Sequence, residues 1–151
     1  MTRIKEDQLW TWVLPDRDRE IHEGEWRDHG GKWIIFDRKQ RTEHLAMKLE
    51  NYIDAGDIQS AKYWNKDPSA ICVYSLYKDR NKVWDILKGL DAGRNRVWEY
   101  DYAWGKNVQR TPVFLYSQFS KFRTILQSHG CRGTLQLIRE VLPRTATKSS
   151  N

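Results

Sequence analysis

The chain is 151 residues long, with 30% charged and 39% hydrophobic residues and a mean hydropathy of -0.82. A chain disordered throughout would be poor in rings, whereas this one carries 8 Trp, 7 Tyr and 4 Phe, which argues for a globular domain with a core rich in amphipathic rings. There is no run of about 18 apolar residues to span a bilayer, the N-terminal MTRIKEDQLW lacks the apolar stretch of a secretory signal, and a net charge of +6 favours anionic partners.

In chain order, Leu9–Leu14 (LWTWVL) reads as a first strand stopped by Pro15. Asp16–Gly31 has mixed charge and no apolar period, and so reads as a long loop of the kind that often carries function. Lys32–Phe36 is a second strand. From Thr42 a helix is expected, because Leu45, Leu49, Tyr52 and Ile53 share one face, and Gly56 is its stop signal. Ile58–Trp64 and Ala70–Leu76 read as a hairpin split by the turn residues Asn65 to Ser69. A second helix has Asp79 as N-cap, a stripe of Val83, Ile86, Leu87 and Leu90, and its end at Gly93.

Arg96–Tyr102 alternates, with Trp98, Tyr100 and Tyr102 on the face expected beneath helices and Val97, Glu99 and Asp101 on the other. A polar loop from Gly105 to Pro112, a strand at Val113–Tyr116, a third helix through Phe119, Phe122, Ile125 and Leu126 broken around Gly130, and a fourth through Leu135, Ile138 and Leu142 complete the order. Paired strands between helices indicate an α+β fold. The reading is one domain over residues 1–143 and a polar tail over 144–151.

Named chemical motifs are missing. Gly30-Gly31-Lys32 is a turn into a strand rather than a phosphate loop. His22, His29, His44 and His129 stand at no metal-ligand spacing, and Cys72 and Cys131 make neither a CxxC pair nor a disulfide framework. Neither a metal nor a cofactor is expected, and no nucleophile motif requires an enzyme.

Several segments resemble the basophilic-leukaemia-expressed protein family, a domain of unknown function. Gly31-Lys32-Trp33-Ile34-Ile35-Phe36 is similar to its GKW strand, Ser60-Ala61-Lys62 after Gly56 to its "G…AAK" strand, and Ile71-Cys72-Val73-Tyr74 with Asp79 and the Val83 helix to its "ICVY" segment. Tyr100-Asp101-Tyr102 and Tyr116-Ser117 fit its closing strands. The resemblance covers roughly Leu9 to Leu126. It implies the fold of the messenger-RNA cap-binding initiation factor, a curved, mainly antiparallel sheet of about six strands backed by helices on one face. In those factors two tryptophans on loops sandwich a guanine, an acid accepts from its edge, and Lys and Arg hold the phosphates.

Carried over by loop position, Trp26 and Trp64 are the implied stacking rings and Asp67 lies just beyond the second. Lys106 and Arg110 fall where phosphate ligands belong. The Trp-Glu dipeptide of the cap-binders is not repeated at Trp64, which precedes Asn65; the chain's Trp-Glu is Trp98-Glu99. Lys62, a charge within an uncharged strand, is an anion-ligand candidate, and Arg96 at the start of its strand joins the set. Trp12, Trp33 and Trp84 read as core.

The expected function is a non-catalytic, cytoplasmic module that binds a nucleotide or single-stranded RNA. Two alternatives remain. One is an enzyme on a phosphorylated substrate, with Lys62 as base or anion clamp and His22, His29 or Asp101 as proton carrier. The other is a scaffold that docks a protein on its helical face.

Overall fold

A computed structural model describes residues 1–17, 19, 21–101, 122–123, 126–127, 130–132 and 134–135. Six strands make one antiparallel sheet: β1 (Arg3–Glu6), β2 (Trp10–Leu14), β3 (Gly30–Asp37), β4 (Ser60–Trp64), β5 (Ser69–Leu76) and β6 (Arg96–Tyr100), in spatial order β1-β2-β4-β5-β3-β6. Helices α1 (Glu23–His29), α2 (Lys39–Ala55) and α3 (Arg80–Gly89) interrupt them. The expected α+β class, with one antiparallel sheet and helices, is what the chain forms.

The main core lies between the sheet and helices α2 and α3. Val13, Ala61, Ile71, Val73 and Ile35 project from the strands onto Leu45, Leu49 and Ile53 of α2 and Val83 and Leu87 of α3. The other face of the sheet carries a second cluster, Ile34, Phe36, Cys72, Tyr74 and Val97, flanked by Trp10, Trp12 and Trp26. Residues opposed in an antiparallel ladder share a face, so the pairing register sorts every strand residue between these two environments.

Two elements depart from the sequence expectation. β1 has no apolar alternation and all four of its residues are exposed. It exists because Asp7 turns the chain back, its carboxylate accepting from the N–H groups of Leu9 and Trp10 at 2.8 and 2.7 Å, which brings Arg3–Glu6 into register with β2. The second departure is α1, which occupies part of the expected long loop. Its first turn holds Glu23 and Glu25 and its last turn Arg27 and His29, the arrangement that complements a helix dipole, while Trp26 provides its anchoring side chain. This helix lies against the second face of the sheet.

Elsewhere the differences are at boundaries. α2 begins at Lys39, three residues before the expected start, because the Lys39 N–H donates to Asp67 at 2.8 Å from the β4–β5 turn. Gly56 closes α2 with φ 94°, a conformation that favours glycine. α3 follows a short 3-10 turn and ends at Gly89. Trp33, Trp84 and Trp98 lie together on the helical side, as expected, with ring centroids 5.2 Å apart for Trp33–Trp84 and 5.5 Å for Trp33–Trp98. The expected strand at Val113–Tyr116 and the tail 144–151 are outside the described residues. Of the two expected C-terminal helices, Phe122, Arg123, Leu126, Gln127, Gly130, Cys131, Arg132, Thr134 and Leu135 are described, and all are helical. Gly130 carries the positive φ, 63°, at the expected break.

Candidate ligand-binding face

The second face of the sheet gathers an unusual set of side chains. β2 and β4 pair Trp10 with Trp64 and Trp12 with Lys62, and β4 and β5 pair Lys62 with Cys72. One row across the strands therefore reads Trp12, Lys62, Cys72, Ile34, Val97, and the next holds Ser60, Tyr74, Lys32 and Glu99.

Lys62 is the centre of this face. Its ammonium lies 4.5 Å from the ring centroid of Trp10, 4.3 Å from that of Trp12 and 5.8 Å from that of Tyr74, distances at which a cation is attracted by ring quadrupoles. No carboxylate among the described residues forms an ion pair with it. Burial pushes its pKa below the ordinary lysine value, and the nearby charge of Lys32 acts in the same direction. The charges of Asp101 and Asp7 act on Lys62 in the opposite direction without forming an ion pair with it among the described residues.

Lys32 is the contrasting case. Its ammonium donates to Asp101 at 2.8 Å, and the other oxygen of Asp101 accepts from the Trp26 indole N–H at 3.2 Å. Burial works against the Lys32 charge, but the hydrogen bond and charge of Asp101 outweigh it and hold the pKa above the usual value. Between the two lysines stands Tyr74, its ring 6.3 Å from Trp12 with planes 13° apart and 6.3 Å from Trp26 with planes at 41°. Burial raises the Tyr74 phenol far above its ordinary pKa, so it stays neutral as part of an aromatic floor.

The residues singled out from the sequence have different fates. Lys62 is on this face. Trp26 is here too, on α1 rather than in an open loop, with its indole laid on Gly30 and tied to Asp101. Trp64 closes β4 and is only 7% exposed, with its ring 6.4 Å from that of Trp10. No contact joins Trp26 to Trp64, and each is seated against a different ring. Asp67 uses a carboxylate oxygen to cap α2. Arg96 projects to the helical side, where its guanidinium stands 3.6 Å over the Trp84 ring; its register opposite Ile35 puts it across the sheet from Lys62. Lys106 and Arg110 lie outside the described residues.

Trp12, expected in the core, packs against the second cluster on the face of Lys62 and not against the main core, because Thr11 and Val13 are the β2 residues turned toward the helices. Trp10, Trp12, Lys32 and Tyr74 are the site residues that sequence reasoning missed. Their strand alternation was visible, but their convergence depends on β2 pairing with β4, some 50 residues downstream.

A scan against protein-family models gives no match for this chain, and a search of curated proteins finds no significant relative. Among the described residues no cluster of three or more His, Cys, Asp or Glu is arranged to hold a metal ion, and no helix is long and apolar enough to cross a membrane.

Proposed function

We propose that the protein is a non-catalytic module that binds a nucleotide or RNA on the second face of its sheet. The observation that carries this reading is the Lys62 ammonium set over the rings of Trp10 and Trp12 without a carboxylate partner among the described residues. A phosphate arriving there meets a cation already stripped of part of its water, and the rings beside it offer base stacking worth about 1–3 kcal/mol. The net charge of +6 adds long-range attraction for polyanions. The resemblance to a family with the cap-binding fold supports the same ligand class, and that fold and a cytoplasmic site of action belong to this proposal. Against an enzyme, Asp101 has both oxygens engaged by Lys32 and Trp26, which leaves it poorly placed to carry a proton.

The test is a tryptophan-fluorescence titration with ATP, GTP, 7-methylguanosine triphosphate and a short RNA. Saturable quenching that weakens with salt and is lost in Lys62→Ala is expected. An unchanged response in that variant would remove Lys62 from the site.

A second reading, docking of a protein partner through the C-terminal helical region, is favoured by Phe122 at 49% and Leu126 at 37% exposure, four residues apart in helical conformation. Phe122→Ser with Leu126→Ser would abolish such docking and leave the nucleotide titration intact.

A further inference from the structure

We propose that the ligand of this face is a single strand of nucleic acid rather than a free nucleotide, and that Lys5 is its second phosphate anchor. The inference rests on the nucleotide-binding reading above and adds to it a direction, a length and a residue. It comes from how β1 sorts its charges. The β1–β2 register sets Lys5 opposite Trp12 and Arg3 opposite Leu14, on the face of Lys62, while Glu6 opposes Thr11 and Ile4 opposes Val13, on the helical face. The edge strand thus turns both its cations to the candidate site and its acid away from it.

With β1 in place, one row of the sheet reads Lys5, Trp12, Lys62 across three adjacent strands. Two inter-strand steps separate the lysine backbones by roughly 10 Å, with an indole between them. Cation, ring, cation suits a single strand, with phosphates on the flanking lysines and a base on the aromatic side chain between. Because Lys62 covers the Trp12 ring and Tyr74 stacks beside it in the free protein, the base takes the place that the Lys62 ammonium leaves when it turns to the phosphate. A nucleoside monophosphate has one phosphate and satisfies one of the two. Asp7, at this end of the row, accepts from the N–H groups of Leu9 and Trp10 in the turn and from the Trp12 side chain. Its charge acts on both Lys5 and Lys62, so a bound phosphate competes with this carboxylate for the two lysines. Lys32 is neutralised by Asp101, so the strand's charge is met at Lys5 and Lys62, on the half of the face away from α1. Recognition by stacking and phosphate contact makes the site tolerant of base identity.

The proposal is tested by calorimetric titration of the full chain with a uridylate hexamer and with uridine monophosphate, in the wild type, Lys5→Ala and Lys62→Ala. Every residue of β1 is exposed, so Lys5→Ala leaves the core untouched; its melting curve serves as control. Expected is hexamer affinity at least about tenfold above that of the monophosphate, several-fold weaker in Lys5→Ala, with the dependence of log affinity on log salt shallower by about 0.7 for the lost phosphate contact. Monophosphate binding should be unaffected by Lys5→Ala. Equal affinity for hexamer and monophosphate, or monophosphate binding weakened by Lys5→Ala as by Lys62→Ala, overturns the strand proposal and leaves the nucleotide site standing. Binding of neither ligand overturns both.

Discussion

Trp26 lies flat on Gly30. A Cβ built on that glycine would stand 2.5 Å from Cδ2 of the indole, so the absence of a side chain on the first residue of β3 is what lets α1 reach the sheet. Gly31 repeats the device on the opposite face, where a Cβ would stand 2.6 Å from the Trp98 ring. Two successive glycines, which read in sequence as a turn, each seat a tryptophan, one on each side of the sheet.

Gly30→Ala is therefore expected to push Trp26 and α1 away from β3 and to destabilise the fold by ~1–3 kcal/mol, the usual range for overpacking a tight contact. Urea unfolding measures the loss, and near-ultraviolet dichroism reports whether the Trp26 environment changed. A variant as stable as the wild type, with an unchanged spectrum, would mean that the indole is not held there.

Gly56→Ala faces two penalties. The backbone at φ 94° costs an L side chain about 1–2 kcal/mol, and a Cβ would meet the Arg19 guanidinium at 2.8 Å. That guanidinium donates to the carbonyls of Ile53 and Asp54 at the end of α2, so both the helix end and its cation are disturbed. A lowered denaturation midpoint with an unchanged urea dependence is the expected result.

The Lys32–Asp101 pair makes a signed prediction about pH. The raised Lys32 pKa means that the folded protein holds this proton more tightly than the unfolded chain. Its contribution is full below the unfolded lysine value of about 10.4 and is lost as pH climbs through the higher folded value. Asp101→Asn should cost ~1–3 kcal/mol at neutral pH. The gap between it and the wild type should stay constant to about pH 9 and close in more alkaline solution. A gap that does not narrow there would assign the loss to the Trp26 hydrogen bond instead.

Lys62→Met separates stability from binding. Burial lowers the Lys62 pKa, so the charged form is disfavoured by folding, and stability from this group rises with pH between the folded and unfolded values. Replacing the cation by an apolar chain of similar length is expected to keep or raise the melting temperature at pH 7 while abolishing anion binding. A melting temperature well below that of the wild type would identify Lys62 as a structural residue held by its rings.

Arg96→Gln is the reciprocal control. Its guanidinium packs on Trp84, on the far side of the sheet, and a partly buried cation–π contact contributes roughly 0.5–2 kcal/mol. Stability should fall by that order, and the nucleotide titration should superimpose on that of the wild type.

Much of this fold was legible because apolar spacing is a local property. The α2 stripe of Leu45, Leu49 and Ile53, the β5 run from Ile71 to Leu76 and the alternation of β6 appear in the structure where the sequence puts them. What escaped was held by contacts distant in sequence. β1 has no buried residue to announce it and depends on its pairing with β2. α1 depends on a glycine seat and on Asp101, and the first turn of α2 on Asp67. Among the site residues, Lys62 stood out as a lone charge in a strand. Trp12 did not, because a ring in an alternating strand has the same signature on either side of a sheet.

By itself the sequence determined that each strand has two faces, which residues share a face, and where the two long helices run. For β2, unlike β6, only the tertiary structure decided which face meets those helices. In β2 the choice fell on Thr11 and Val13 over Trp10 and Trp12. The physical reason is packing: α2 lies against Val13, Ala61 and Val73, side chains small enough to let a helix approach. The strand indoles that do face the helices, Trp33 and Trp98, lie with Trp84 of α3 and not under α2. That division turned Trp10, Trp12 and Lys62 to the same side and left a cation among rings.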